Sequence, residues 1–122
     1  MSAVALGAVA IREALARSGV AAHQVGYVVM GQVIRAGTGQ ITARQAAIAA
    51  GVPEEVRALD VDTVCLSGAT AIALADQMIR AGEVDVVVAG GMESMTQAPY
   101  VLPTAREGSR LGNTEMIDTM IH

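Results

Sequence analysis

The stretch LDVDTVCLSGATAIALADQMIRAGEVDVVVAGG, residues 59–91, decides the fold of this 122-residue chain. A short β-type run breaks near Cys65, an Ala-rich helical run begins near Ser67, and Gly82 stops that helix before the apolar run 84–91. A continuous apolar run of this length is typical of a strand buried on both faces. The stretch therefore predicts a strand, a helix and a second strand, which is the repeating unit of a parallel sheet.

The segments before this stretch continue the alternation. Residues 3–17 predict a helix, and the apolar run 25–34 predicts a strand. The Gly-rich turn 36–40 follows, then a helix over 43–50 for which Thr42 is the expected cap, and then a short strand near 57–64. The order αβαβαβ predicts an α/β fold, a mainly parallel sheet with helices on both faces.

The end of the chain has a different character. Residues 92–110 are rich in Pro, Gly and polar side chains, which predicts a long loop, and loops of that length are usually functional or mobile. Residues 113–122 predict a short amphipathic helical piece. No internal repeat or linker divides the chain, so we expect one domain over residues 1–122.

Composition narrows the classes of function. The net charge is −4 and the eight Arg are scattered, so no basic stripe is present and a nucleic-acid partner is not expected. The apolar run 3–11 is too short to span a bilayer and follows no basic residue, so we expect neither a membrane segment nor a signal sequence. A single cysteine forms no internal disulfide, which fits a reducing compartment such as the cytoplasm.

Cys65, the only cysteine, is the candidate nucleophile. A thiol at a strand-to-helix junction lies near the unpaired N–H groups and the positive dipole end of the helix, which favour the thiolate. The alternative is an inert core thiol, which is the commoner role of a lone cysteine among apolar residues.

Three segments carry a resemblance to a known family: GQVIRAGTGQITARQAAIAAGVP at residues 31–53, VDTVCLSGATAIALADQMIRAGEVDVVVAGGMESMTQAPY at residues 61–100, and the tail LGNTEMIDTMIH. Together they resemble the N-terminal half of a thiolase, an acetyl-CoA acetyltransferase. The nucleophile segment and the AGGMESM segment occur in the order and at the separation of that family. A condensing enzyme of ketoacyl synthase type is the other catalytic alternative, but AGGMESM favours a thiolase.

The resemblance implies a chemistry for Cys65. It is the residue that accepts the acyl group from acyl-CoA, in thiolysis of a 3-ketoacyl-CoA or in Claisen condensation of two acyl-CoA molecules, with its backbone N–H in the oxyanion hole. Coenzyme A thioesters are then the substrates, and no metal or resident cofactor is expected. The family also implies a homo-oligomer and a role in fatty acid metabolism.

The same resemblance implies segments that this chain does not contain. Thiolases use a His in a Gly-His-Pro segment, an Asn-Glu segment and a second Cys in a Cys-x-Gly segment, whereas the histidines here are His23 and His122. The family's first strand, expected at the centre of the sheet, also has no counterpart, which would leave a gap there. We therefore expect a partial N-terminal domain, without the C-terminal domain, that is inactive alone. The alternative from another class is a non-catalytic assembly or interaction module.

Three further residues are candidates for substrate binding: Gly91, Met92 and Ser94. They follow the predicted strand 84–91, and ligands gather at the carboxyl ends of parallel strands, although Gly pairs there also serve close packing. Met92, Met95 and Met120 are candidates for an acyl or interface surface. Gly37 and Gly39 could cradle a phosphate, but a tight turn is the better interpretation.

Overall fold

The centre of the structure is a three-stranded parallel sheet whose middle strand is the most buried. A computed structural model describes residues 1–121, with the strands β1 Tyr27–Gly31, β2 Arg57–Val61 and β3 Val87–Gly91 in the order β2-β1-β3. Tyr27 is opposite Arg57 on one side and Val87 on the other, and each pairing runs over five residues. The predicted parallel α/β sheet is therefore confirmed.

Three helices cover the two faces of this sheet: α1 Ala3–Ser18, α2 Thr42–Ala50 and α3 Ser67–Arg80. Val28 and Met30 point to the face on which α1 and α2 pack. The opposite face carries α3, whose first residue Ser67 lies against Gly31. Because most of the packed side chains are Ala and Val, the helices approach the sheet closely.

The prediction of a gap in the centre of the sheet is wrong. β1 pairs directly with both β2 and β3, so the unpaired edges of this sheet are the outer sides of β2 and β3. The strands present in this chain form a continuous sheet without the family's first strand.

The start of α2 also differs from the prediction. The helix includes Thr42, and the residue before it, Ile41, has a left-handed backbone with φ of 45° and provides no side-chain cap. The carboxylate of Asp60 on β2 caps the helix instead, accepting hydrogen bonds from the backbone N–H of Thr42 at 3.0 Å and of Ala43 at 2.7 Å. Thr42 is therefore the first residue of the helix and not its cap, because the capping carboxylate belongs to Asp60 on the neighbouring strand.

The last part of the chain forms strands and turns. Tyr100–Val101, which is β4, pairs antiparallel with Ile117–Asp118, which is β5, so the helical piece predicted for 113–122 is wrong over the residues that the structure describes. The predicted loop 92–110 holds β4 and the short 3₁₀ turns Met95–Gln97 and Pro103–Arg106. None of the helices formed by residues 1–121 has the length and apolarity needed to cross a bilayer.

Candidate functional site

A cleft of about 700 Å³ opens at the carboxyl edge of the parallel sheet. Its walls come from the three segments that leave β1, β2 and β3, which is where ligands bind in open α/β sheets. Cys65 and Met92 are both part of this wall, together with Gly31, Gln32, Val33, Ile34, Val64, Ser67, Gly68, Gly91, Glu93, Met95, Thr119 and Met120.

Cys65 lies in a short 3₁₀ turn, Val64–Leu66, between β2 and α3. The side chain is exposed, and α3 begins two residues later. The structure therefore places the thiol at the helix start that the sequence predicted, and the thiol is exposed there. The alternative of an inert core thiol does not fit this exposure.

The turn around Cys65 is held from both sides by Ser67. The Ser67 hydroxyl accepts a hydrogen bond from the Thr63 N–H at 2.9 Å and donates one to the Val64 carbonyl at 2.8 Å. Asp62 Oδ1 accepts from the Val64 N–H at 3.1 Å. These bonds hold Val64 at a φ of 59°, which is an outlier for a β-branched residue and costs energy. Strain of this kind next to a reactive side chain is typical of functional turns.

β1 approaches the beginning of α3 more closely than any side chain permits. A Cβ at Gly31 would stand 2.6 Å from the backbone carbonyl carbon of Ser67 and 2.8 Å from the Gly68 nitrogen. Glycine at position 31 is therefore required for the Cys65 turn to seat against the sheet.

The expected role of the Cys65 backbone in an oxyanion hole is not supported by this conformation. The Cys65 N–H donates to the Thr63 carbonyl at 3.0 Å inside the turn. The first N–H groups of a helix have no partner within the helix, and in α3 these belong to a turn whose residues Ser67 and Gly68 line the cleft.

The predicted binding residues divide between two cavities. Gly91 and the buried Met92 line the Cys65 cleft, and so do Met95 and Met120. Ser94 lines a second cavity of about 370 Å³, beside the start of α1, and its hydroxyl donates to the Met1 carbonyl at 2.8 Å. The structure thus does not bring Ser94 to the thiol.

The sequence did not identify the wall contributed by the segment after β1. Val33 and Ile34 line the cleft, although the sequence predicts a single strand over the apolar run 25–34. The length of this run could have indicated the wall. The run is longer than the strand predicted near 57–64, so its last residues extend past the carboxyl edge of the sheet. Gly37 and Gly39 have φ of 71° and 92°, which supports the tight turn.

A buried polar network fixes the beginning of this wall. The Thr42 hydroxyl lies within hydrogen-bond distance of Gln32 Oε1 and of Asp60 Oδ1, and the Gln32 amide donates to the Ile34 carbonyl at 3.1 Å. Gln32 and Thr42 are almost fully buried, so these bonds are shielded from water. The network joins β1, β2 and α2 immediately beside the cleft.

Among residues 1–121 no histidine lies beside Cys65. His23 is in the turn Ala22–Gln24, before β1 begins, and therefore lies at the end of the sheet opposite the cleft. His122 lies outside the described residues. Among residues 1–121 no group of three or more His, Cys, Asp or Glu side chains is arranged to hold a metal ion.

Comparison with known proteins gives a consistent result. The family model for the thiolase N-terminal domain matches residues 1–122. The chain is 58% identical over 117 residues to a probable acetyl-CoA acetyltransferase of Mycolicibacterium smegmatis, covering 96% of this chain and 30% of that protein. It is 55% identical over 121 residues to the probable acetyl-CoA acetyltransferase of Mycobacterium tuberculosis, covering 99% of this chain and 31% of the relative.

A third relative is the acetyl-CoA acetyltransferase of Cupriavidus necator, 53% identical over 116 residues, which cover 95% of this chain and 30% of the relative. The chain thus spans about 30% of the length of these curated relatives. Family membership follows from the match over the whole chain and not from the cysteine alone. The chain belongs to the thiolase family, and its residues match the N-terminal domain of that family.

Proposed function

We propose that this chain is the nucleophile-bearing N-terminal domain of an acetyl-CoA acetyltransferase, and that Cys65 accepts the acyl group. The observation that carries the proposal is the position of Cys65: exposed, at the start of α3, and on the wall of the cleft at the carboxyl edge of the sheet. The names of the relatives, which are acetyl-CoA acetyltransferases, support acetyl-CoA as a substrate.

The proposed step exchanges one thioester for another. The sulfur of Cys65 attacks the carbonyl carbon of acetyl-CoA, a new S–C bond forms, and the bond from that carbon to the coenzyme A sulfur breaks. The proton lost by the Cys65 thiol ends on the released coenzyme A. Because both the reactant and the product are thioesters, the acyl group stays activated for transfer.

The cleft supports this step in two ways. Its lining includes the apolar side chains of Val33, Met92 and Met120, which suit an acyl chain. The first turn of α3 offers backbone N–H groups and a positive dipole end toward developing negative charge. A general acid and base, which the resemblance implies in other segments of a thiolase, has no candidate histidine beside Cys65 among the described residues.

The test is intact-mass spectrometry of the 122-residue chain after incubation with acetyl-CoA. Formation of the acyl-cysteine requires the nucleophile, whereas the complete reaction also requires the segments that the resemblance implies elsewhere in a thiolase. We therefore expect one acetyl adduct on the wild type and none on Cys65→Ser, although the chain alone does not complete the reaction. His23→Ala is the matched control, because His23 lies at the other end of the sheet, and it should acquire the adduct at the wild-type rate. An adduct that persists in Cys65→Ser, or no adduct on the wild type, would contradict the proposal.

A second candidate function is assembly with further copies of the chain. Ile72 and Ile79, one heptad apart on α3, are exposed by 60% and 45%, so they form an apolar stripe toward solvent. Analytical ultracentrifugation tests this: a concentration-dependent dimer that is lost in Ile72→Asp supports assembly, and a monomer at every concentration contradicts it. The cytoplasmic location and the role in fatty acid metabolism stay predictions.

A further inference from the structure

Glu93 connects two distant parts of the chain at the edge of the cleft. It follows β3 by two residues, and its Oε2 accepts hydrogen bonds from the backbone N–H of Val33 at 2.8 Å and of Ile34 at 3.3 Å. The residues joined in this way are 60 and 59 positions apart in the sequence. One carboxylate oxygen thus holds the segment that leaves β1.

Val33 and Ile34 need such a partner because they have passed the end of the sheet. The last ladder bond on this side is donated by the Gln32 N–H to the Val61 carbonyl at 3.0 Å. Beyond it no strand carbonyl is available, and a partly buried N–H without a partner is costly. A carboxylate acceptor makes these two bonds stronger than a neutral one would.

The second oxygen of the same carboxylate is the unusual feature. Among residues 1–121, Glu93 Oε1 is buried and has no hydrogen-bond partner. The two ion pairs of the same residues, Arg17 with Glu13 and Arg80 with Asp76, do not involve it. Leaving a charged oxygen unpaired in a buried place costs free energy. Such a group in a folded protein therefore requires an explanation beyond packing.

Glu93 lies between two cavities. Together with Gln32 and Ile34 it lines both the Cys65 cleft and the second cavity beside α1. These three residues thus separate the two cavities. Without the carboxylate, residues 33 and 34 lose their anchor and the separating wall is free to move.

We propose that Glu93 is a positioning residue for the Cys65 cleft. Its carboxylate fixes the wall formed by Val33 and Ile34, so that a substrate entering the cleft is held against the thiol. The catalytic consequence rests on the proposed acyl transfer, whereas the effect on the wall does not. Glu93 itself does not react, and Cys65 keeps its own turn, which is held by Ser67.

The experiment compares Glu93→Ala, Glu93→Gln and the control Glu83→Ala, since Glu83 is exposed and remote from the cleft. Three properties are measured: amide hydrogen exchange at residues 33 and 34, acetylation of Cys65 by acetyl-CoA, and alkylation of Cys65 by two reagents. Iodoacetamide is small and polar and does not need the cleft. N-benzylmaleimide is apolar and should seat in it.

For Glu93→Ala we expect faster exchange at residues 33 and 34 but not at Val28 or Val29 in the middle of β1. Acetylation and benzylmaleimide alkylation should both slow by roughly tenfold or more, since a displaced wall misplaces the substrate. The iodoacetamide rate should stay within about twofold of the wild type, because the Cys65 turn is intact. Glu93→Gln should retain most of each rate, because its amide oxygen accepts the same two bonds.

Three outcomes would overturn the proposal. The first is that amide exchange at residues 33 and 34 is unchanged in Glu93→Ala. The second is that the variant loses rate equally toward iodoacetamide and benzylmaleimide. The third is that residues 33 and 34 lose protection while the rate of benzylmaleimide alkylation does not fall. If the wild type is not acetylated at all, the proposed acyl transfer fails for this chain. The exchange and alkylation data still decide the role of Glu93 in that case.

Discussion

Replacing Gly31 by alanine tests whether the contact between β1 and α3 positions the nucleophile. The added Cβ would lie 2.6 Å from the Ser67 carbonyl carbon and 2.7 Å from its Cβ. Carbon atoms are in favourable contact at about 3.5–4.0 Å, so the start of α3 must move by about 1 Å. The atoms that are struck include backbone, and no change of side-chain rotamer relieves the clash.

We expect Gly31→Ala to lower the free energy of unfolding by about 1–3 kcal/mol, the usual cost of overpacking a core. It should also displace the Cys65 turn, and acetylation of Cys65 by acetyl-CoA should slow by up to about a hundredfold, which is what a 1 Å misplacement can cost. Urea denaturation and the acetylation time course measure the two effects.

Gly90→Ala is the matched control on the neighbouring strand. Its added Cβ would have nothing closer than Met30 Sδ at 3.8 Å, an ordinary contact. Its stability should stay within about 1 kcal/mol of the wild type, the general cost or gain of a Gly-to-Ala exchange. The reasoning is refuted if Gly31→Ala and Gly90→Ala are equally stable and are acetylated at the same rate.

Three further substitutions address the cleft and its support. Ser67→Ala removes the hydroxyl that joins Thr63 to Val64, so we expect a loss of about 1–3 kcal/mol in urea denaturation and slower acetylation of Cys65. Val64→Gly relieves a φ of 59° at a residue that is 68% exposed, so it should raise the free energy of unfolding by about 0.5–1 kcal/mol. Asp60→Ala removes the cap of α2 and should cost about 1–2 kcal/mol.

Each of these substitutions has its own contradicting result, and two of them have a control variant. Asp85→Ala, at an exposed carboxylate outside the cap, should be neutral, and equal losses for Asp60→Ala and Asp85→Ala would contradict the capping role. Val64→Ala retains a Cβ and should gain less stability than Val64→Gly, so the reverse order would show that the backbone there is unstrained. Acetylation of Ser67→Ala at the wild-type rate would show that Ser67 does not position the thiol.

The elements that the sequence predicted well are those whose signals are local. The helices α1 and α3 follow from apolar periodicity ended by Gly19 and Gly82, and β3 follows from a continuous apolar run. The burial predicted for β3 on both faces is wrong, because β3 is an edge strand whose first four residues are only half-buried and whose last residue, Gly91, is exposed. The position of Cys65 at a helix start was predictable for the same reason, since a strand pattern and a helix pattern meet there. Its exposure was not predictable, because the pattern around it fits an inert core thiol equally.

The features that were predicted wrongly depend on residues far apart in the chain. The cap of α2 comes from Asp60, which is 18 positions from Thr42, and no local pattern announces it. The helical pattern at 113–122 gave way to β5 because Ile117 pairs with Val101, so tertiary pairing overrode a weak local preference.

The cleft itself was only partly predictable. Met92 follows a predicted strand and could be placed at its carboxyl edge, but Ser94, two residues later, turns away into the second cavity. The wall at Val33 and Ile34 depends on the contact with Glu93, which only the folded chain reveals.

The central claim is that an acyl group passes reversibly through the sulfur of Cys65, and the most direct test is to run the transfer backward. The chain is incubated with isotope-labelled acetyl-CoA and freed of excess reagent. Peptide mapping of one portion locates the label, and a second portion is mixed with unlabelled coenzyme A. The account predicts that the label lies on the Cys65 peptide and returns to coenzyme A as acetyl-CoA, since thioester exchange is nearly balanced in free energy. Label on any other residue, or label on Cys65 that coenzyme A does not remove, would contradict it.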